Sequence, residues 1–529
     1  MQLLQTLSPA DGAEQGDVLL LIPRWTPSPQ GPVSQAQARQ GTPFRSLRIA
    51  GTLLAAGYRV HLFDQDLFDQ TLLDQRPPED PDQALETQLP SKVLAIVLWC
   101  NELEPLIQTT QAQILLKHFR VFFPEAPSIF GGPLIARLPT EGLWPARGFD
   151  YFMQGQGILE LPLLLEALRG LRPIEGVPGL VAEGQRSFVG PPPPKRFRVS
   201  PEIYKVYQQL DFSGWIQRGG IFGNDQATLV ASFTQGCAKG CNFCYWRDFP
   251  PAFLETAEAI SHLKHLRESY GVRQFHLAEL DFASNHRRLL AFADAFGLAI
   301  PDGRWFSLVS IVDMARYGSE DWDRLRAGGL AKLEFGTESG SPKTLSRMGK
   351  RHNQKQVLKV TREASLRGIH SMHNFVFGIP GETREDLAQS LRLIHALLRM
   401  DPKTVSFTFR FFQPPFGTAL GEEALALLPQ EMRRIDHFLA SRDRFGQEDQ
   451  RTMPWIEASL EKEIKALVYH FLPLASSKLS FGRRRSRALY RFLRRFARMR
   501  LGHRFFALPL DRTLYERTLS QPLDNTYTA

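Results

Sequence analysis

Three of the chain's four cysteines lie within eight positions, in GCAKGCNFCYW at residues 236–246. Cys237, Cys241 and Cys244 give the spacing C-x3-C-x2-C. The preceding TLVASFT alternates apolar residues as a strand does, so the thiols sit in a loop leaving a strand end. Thiolates are soft ligands that suit iron–sulfur clusters or zinc. A structural zinc site is closed by four ligands, usually from two paired C-x2-C knuckles. Only three thiols are present here, and Cys100 ends a strand of another expected domain with no local partner. Three thiolates on a four-iron cubane leave one iron open, and an open iron can bind a substrate. The spacing therefore points to a 4Fe-4S cluster with one free position.

Two carboxylates stand out further along. In AELDFASN, residues 278–285, Glu279 and Asp281 are two apart, which on a strand sends both side chains to one face. Burying both without partners is costly, so they are expected to line a polar cavity as candidate catalytic groups.

The elements that must hold these groups are legible around them. After the cysteines, helical and strand periods alternate: TAEAISHLKHLRESYG, VRQFHLAELDF, HRRLLAFADAFG, RWFSLVSIVD, DWDRLRAGG, LAKLEFGTESGS, QKQVLKVTREASLRG, IHSMHNFVFGIPG, REDLAQSLRLIHALLRM and TVSFTFRFF. About six strand–helix units of this kind make a partial barrel, with reacting groups at the strand C-termini. Upstream, DVLLLI, YRVHLFD, VLAIVLWC and SIFGG alternate with helical stretches. That order means a doubly wound parallel sheet with a ligand crevice at its strand ends. Gly131, Gly132, Gly155 and Gly157 follow strands of this sheet, where they let backbone approach a ligand or simply turn.

Bulk properties fit an ordinary globular chain of several domains, with 529 residues, 43% hydrophobic and 22% charged. Four cysteines exclude a disulfide scaffold and suit a reducing, cytoplasmic compartment. The N-terminus lacks the pattern of a signal peptide, and no apolar run reaches the length of a membrane span. The net charge of +9 is concentrated in RRRSRALYRFLRRFARMRLGHR, residues 483–504, which holds ten arginines and no acid. Leu489, Phe492, Leu493 and Phe496 recur there at helical spacing, which predicts one apolar and one basic face. This helix is expected to dock on the barrel; an anionic partner or a membrane surface are the other readings. No RNA module accompanies the arginines, so nucleic acid is not an expected partner.

The cysteine spacing, with Phe243 before the last cysteine, resembles the fingerprint of the radical S-adenosylmethionine superfamily. The resemblance implies that the open iron chelates S-adenosylmethionine. An external one-electron reductant of flavodoxin or ferredoxin type then drives its cleavage to a 5′-deoxyadenosyl radical. EFGTESGS resembles the turn that approaches S-adenosylmethionine, implying contacts from Gly336, Glu338 and Ser339. FGIPGET resembles the segment packed against adenine or the methionine backbone, implying Gly378 and Pro380. PPFGT at 414–418 resembles the closing turn of the barrel. The upstream domain resembles the cobalamin-binding domain of many such enzymes, through LAAGYRVHLFD, IFGGP and DYFMQGQG. The resemblance implies that Gly131, Gly132, Gly155 and Gly157 border cobalamin. Two departures stand: Gly155-Gln156-Gly157-Ile158 replaces the usual G-E-G-E, and no Asp-x-His-x-x-Gly supplies an imidazole to cobalt. His61 lies inside a strand and reads as a packed residue. An arginine often found in related chains is missing from SLVSIVDMA.

The expected architecture is a Rossmann-like domain at 1–185, a partial (β/α)6 barrel at 186–425 and a helical region with a basic amphipathic segment at 426–529. The leading expectation is a cobalamin-dependent methyltransferase acting on an unactivated carbon of a small-molecule or peptide substrate. The alternative keeps the radical chemistry as a cyclase, dehydratase or oxidoreductase with cobalamin altered in role or absent. A methylthiotransferase would need a further cysteine trio upstream, where only Cys100 stands. A zinc-stabilised RNA-binding protein is the reading from another class, and it leaves the GTESGS turn without a use.

Overall fold

The structure is a computed structural model. It describes residues 4–9, 12, 15–23, 42–68, 81–100, 105–132, 148–182, 189, 191–192, 199–217, 226–247, 249–401, 403–429, 433, 453–476, 484–503, 514 and 518. The chain is α/β, with a mainly parallel sheet followed by a fully parallel one and a helical C-terminal region.

The first sheet contains β1 (Gln5–Leu7), β2 (Asp17–Ile22), β3 (Arg59–Asp64), β4 (Ala95–Trp99), β5 (Ser128–Gly131), β6 (Tyr151–Met153) and β7 (Leu180–Ala182). Their spatial order is β1-β3-β2-β4-β5-β6-β7, parallel from β3 to β6 with an antiparallel strand at each edge. β2 and β4 are apolar almost throughout and buried on both faces, as central parallel strands require. The strand order reverses between β2 and β4, so the crevice of this doubly wound sheet opens at their C-terminal ends. Helix Phe44–Ala55 follows that crevice and is buried along most of its length. A Cβ on its Gly51 would stand 1.9 Å from the Ile203 carbonyl oxygen, so glycine is what lets helix Pro201–Tyr204 press against it.

The second sheet holds six parallel strands. They are β8 (Thr228–Ala231), β11 (Gln274–Leu277), β12 (Arg304–Val309), β13 (Leu330–Glu338), β14 (His370–Phe377) and β15 (Val405–Phe411). They lie in sequence order, an open arc in which each strand pairs with its predecessor. The short strands β9 (Thr234–Gln235) and β10 (Ala252–Phe253) form a separate hairpin-like pair beside the cysteine loop. Alternate residues such as Phe275, Trp305, Leu333, Phe335, Phe375 and Phe407 join the core with the surrounding helices. The other face carries a polar ladder: His276 stacks on Phe306 at 4.4 Å, Asn374 donates to Glu334 at 2.6 Å, and Thr408 donates to Asn374. Helices Gln354–Leu366 and Arg384–Met400 begin at Asn353 and Thr383, each closing a capping box with the third helical residue.

The arginine-rich segment is helical over Arg484–His503. It packs on helices Leu472–Ser476 and Arg384–Met400. Its buried side is not the expected one. Tyr490, Leu493, Ala497 and Leu501 face inward, whereas Phe492 is 61% exposed. The Arg500 guanidinium lies 4.4 Å above the Phe471 ring, so the buried stripe follows that cation's stem as well as the apolar residues. Among the described residues, no helix is long and apolar enough to cross a membrane.

Candidate active site

The cysteine loop follows β9 directly, with Cys237 two residues after Gln235, and folds back on itself. The Cys237 amide donates to the Phe249 carbonyl at 2.8 Å, and the Cys244 amide to the Cys241 carbonyl at 3.3 Å. Two backbone amides point at sulfur: Lys239 to Cys237 Sγ and Trp246 to Cys244 Sγ, each at 3.4 Å. All three thiols are free, and burial pushes Cys237 up to about 12 and raises Cys241. Metal binding must therefore displace protons from them. Among the described residues, no trio of His, Cys, Asp or Glu converges on a single ion. A cubane does not ask for that, because each thiolate takes a different iron at a different corner. The donor set, all sulfur with amides directed at two of the sulfurs, suits such a cluster.

The first expected carboxylate has a different job from the one its spacing suggests. β11 ends at Leu277, so Glu279 and Asp281 lie beyond the strand and the two-residue alternation does not apply. Glu279 is 3% exposed and accepts from the Phe233 amide at 2.8 Å and from the hydroxyls of Thr234 and Ser232. It holds the end of β8 in place. Asp281 turns to the cysteine loop. It accepts from the Ser310 amide at 3.0 Å and stands 3.4 Å from Lys239 Nζ, which also pairs with Asp313. Burial raises Asp281 to about 6; Lys239 pulls it down and Asp313 pushes it up.

The end of β13 brings Glu338 toward the cysteines. Glu338 is the one non-glycine residue among those described with φ in the left-handed region, at 57°, and a register shift in the β13–β14 pairing accompanies it. Its Oε1 lies 2.9 Å from Lys350 Nζ. A Cβ on Gly336 would stand 2.6 Å from Glu338 Oε1 and 2.8 Å from Lys350 Nζ, so this glycine makes room for the ion pair. Ser339 faces the other way. It is buried, and its hydroxyl bonds Ser390 Oγ of helix Arg384–Met400 at 2.9 Å, which makes it a packing contact of the turn. Gly378 and Pro380 are also buried. A Cβ on Gly378 would meet Met453 Sδ at 2.3 Å, and the Trp455 indole donates to the Gly378 carbonyl at 2.6 Å. Met453 and Trp455 of the C-terminal region thus pack on Gly378. Phe243 is half-buried beside Met348, Ile379 and Trp455.

A narrow cleft lies between the two sheets. On the first-domain side its walls are Phe44, Arg45, Arg48, Trp99, Gly155 and Gln156; on the barrel side they include Thr234, Gly236, Trp246 and Leu280. Of the four expected glycines only Gly155, with φ 136°, borders it. A Cβ on Gly131 or Gly157 would stand 2.2 or 2.3 Å from the Trp99 indole, so these two accommodate a tryptophan. Gly132 packs against the backbone of Cys100. His61 is not among the residues that line the cleft: it bonds Asp17 at the start of β2 and Thr6 in β1, as a packed strand residue.

Sequence reasoning missed the contacts that join the halves. Arg48 reaches from helix Phe44–Ala55 to the end of β8, donating to the Ser232 carbonyl at 3.0 Å, the Ser232 hydroxyl at 2.7 Å and the Thr234 carbonyl at 2.8 Å. It also missed Lys350, Lys239 and Trp99. The arginine inside an otherwise apolar helical period was the one available signal for the first of these.

Residues 231–394 match the model of the Radical SAM superfamily, and the chain carries a radical S-adenosylmethionine domain there. An uncharacterized methyltransferase of Pyrococcus horikoshii is 25% identical over 308 residues, covering 56% of this chain and 63% of that protein. The chain spans less than two thirds of the length of the curated relatives it matches. Among solved structures, TsrM, a radical S-adenosylmethionine methyltransferase from Kitasatospora setae with cobalamin and a 4Fe-4S cluster bound, aligns with a TM-score of 0.58 at 19% identity. That match covers 78% of this chain and 74% of that one. OxsB, a cobalamin-dependent S-adenosylmethionine radical enzyme with aqua-cobalamin bound, aligns with a TM-score of 0.61 at 13% identity, over 92% of this chain and 72% of that one. Both likenesses show a shared fold.

Proposed function

We propose that the chain is a cobalamin-dependent radical S-adenosylmethionine methyltransferase acting on an unactivated carbon of a small-molecule or peptide substrate, in a reducing compartment such as the cytoplasm. One observation carries this reading: a single cleft is walled by the strand ends of the first sheet and by the residues that lead into the cysteine loop. When bound, the cluster supplies the electron that cleaves S-adenosylmethionine to a 5′-deoxyadenosyl radical, and the corrinoid supplies a methyl group to the substrate carbon. The fit of the site to these groups rests on its donors and walls. Cys237, Cys241 and Cys244 would hold the cluster. Trp99, Trp246 and Phe44 give flat apolar walls for a macrocycle, with Gln156, Thr234 and Arg45 as polar contacts at its edge.

The chain's own residues then do three things. Arg48 and Glu279 both hold the residues that follow β8, which places the cysteine loop against the first domain. Lys239, Asp281 and Asp313 pin the loop to the barrel rim. Trp455 and Met453 close over the FGIPGET turn and exclude water from that side. An electron enters from an external flavodoxin- or ferredoxin-type donor.

A second reading is favoured by Trp99, which covers Gly131 and Gly157 and leaves Gly155 alone at the cleft. In it, radical chemistry proceeds as a cyclisation, dehydration or oxidation with the corrinoid altered in role or absent. Corrinoid retention separates the two. Protein reconstituted anaerobically with iron, sulfide and hydroxocobalamin is desalted, and its corrinoid bands are measured. The methyltransferase reading expects about one corrinoid per chain, lost in Gly155→Phe. A cluster without retained corrinoid refutes it and leaves the second reading.

A further inference from the structure

Helix Pro342–Arg347 ends against the cysteine loop, and the residues after it wrap that loop. The Asn242 amide donates to the Met348 carbonyl at 2.9 Å, and Asn242 Nδ2 to the Arg347 carbonyl at 2.7 Å. Gly349, with φ 72°, packs so tightly that a Cβ would stand 2.9 Å from the Gly240 carbonyl oxygen and 3.3 Å from Cys241 Cα. The next residue is Lys350. Its ammonium is 5.6 Å from the centre of the Phe243 ring, between two of the cysteines in sequence, and its charge acts on the thiols of both Cys241 and Cys244. The side chain is 19% exposed and is held by Glu338 Oε1 at 2.9 Å and the Gly336 carbonyl at 3.3 Å. Three costly features serve this arrangement: a left-handed glutamate at 338, a glycine at 336 that leaves room for the pair, and a glycine at 349 that permits the close approach.

We propose that the Lys350–Glu338 pair tunes the reduction of the cluster bound by Cys237, Cys241 and Cys244, with Lys350 favouring the added electron and Glu338 opposing it. This rests on the radical S-adenosylmethionine reading. A four-iron core with three thiolates carries a net charge of minus one when oxidised. It reaches minus two when it accepts one electron from the external donor, with no bond made or broken. A fixed cation beside the thiolates stabilises the second state more than the first, and a fixed anion does the reverse. Burial keeps both charges from being screened by water and salt. Lys350 and Glu338 are therefore positioning charges, acting through the cluster rather than on substrate.

The test is an EPR-monitored redox titration of protein reconstituted with iron and sulfide, without S-adenosylmethionine or corrinoid, with dithionite as reductant. Iron and sulfide content are measured in parallel. Lys350→Met makes reduction ~10-fold less favourable, a midpoint ~59 mV more negative for a one-electron couple. Glu338→Gln moves the midpoint the other way by a similar factor, and Lys350→Arg stays within ~2-fold of the unmodified protein, well inside that ~59 mV step. Opposite signs from the two halves of one pair are what a purely structural role does not give. Shifts of the same sign, or no shift in either variant, overturn the proposal while leaving the cluster reading intact. If Lys350→Met does not hold a cluster, the direction of the Glu338→Gln shift decides. An unmodified protein that takes up no cluster overturns both the proposal and the reading beneath it.

Discussion

Arg48 is the sharpest place to test how the two sheets are joined. It is 8% exposed and donates from one terminal nitrogen to two carbonyls and a hydroxyl at the end of β8, 184 to 186 residues away in sequence. A terminal guanidinium nitrogen has two hydrogens, so this counts as two full bonds with one of them shared. Bonds from a charged donor contribute ~1.5–3 kcal/mol each, or ~3–6 kcal/mol for two. Against this, Arg48 Nε is buried without a partner. Relieving that unmet donor returns ~1–3 kcal/mol when the side chain is replaced. Arg48→Met, which also takes the guanidinium from over the Phe44 and Tyr204 rings, 5.6 and 6.0 Å away, should therefore cost ~2–3 kcal/mol, the difference between the middles of those ranges. At ~2–4 °C per kcal/mol for a large domain, calorimetry should show the melting temperature falling by ~4–12 °C. Cluster loading should fall with it, because Ser232 and Thr234 lead directly into Cys237. The double-mutant cycle with Ser232→Ala isolates the contact. A coupling of ~1 kcal/mol or more is expected, whereas additivity within ~0.5 kcal/mol would show that the contact is not what joins the halves.

Other outcomes follow from neighbouring observations. Gly131→Ala drives a methyl group into the Trp99 ring and should destabilise by ~1–3 kcal/mol; pairing it with Trp99→Leu should recover part of the loss in the same thermal assay. Glu382 is buried and raised from 4.5 to about 7 by burial, so the folded state holds its proton more tightly than the unfolded chain. Its contribution is full below pH ~4.5 and is lost as pH rises to ~7, ~3 kcal/mol in all at 1.36 kcal/mol per unit. Glu382→Gln should flatten the stability curve between pH 5 and 8, and an unchanged slope there would rule the group out. In the C-terminal helix, Arg494 Nε and a terminal nitrogen are buried without partners. Arg494→Met should leave stability unchanged or raise it by up to ~2 kcal/mol, measured by urea unfolding, and a loss above ~1 kcal/mol would show that the guanidinium has a stabilising role.

The parts of this fold that were legible are those written in local patterns. C-x3-C-x2-C after an alternating apolar run located the site, and strand and helix periods located six parallel strands in sequence order. What was not legible depends on residues distant in the chain. Trp99 could be read as a buried strand residue, but nothing local shows that its ring lies over Gly131 and Gly157. Glu279 and Asp281 looked like neighbours on one face because the strand was read five residues too long; its true end at Leu277 frees the two to find separate partners. Ser339 was read for its place in a familiar turn, yet its hydroxyl pairs with Ser390, fifty-one positions on. Phe492 matched a helical stripe that the fold rotates toward Tyr490 and Ala497, because the stripe must also admit the stem of Arg500.

The central claim is that the cysteine loop holds a cluster with one iron open to S-adenosylmethionine. The most direct measurement is the EPR spectrum of anaerobically reconstituted, dithionite-reduced protein, recorded with and without S-adenosylmethionine. The account predicts a signal from a reduced four-iron cluster, changed in shape when S-adenosylmethionine is added and absent from Cys237→Ala, Cys241→Ala and Cys244→Ala. A signal indifferent to S-adenosylmethionine, or a colourless protein that binds zinc in place of iron, would contradict it.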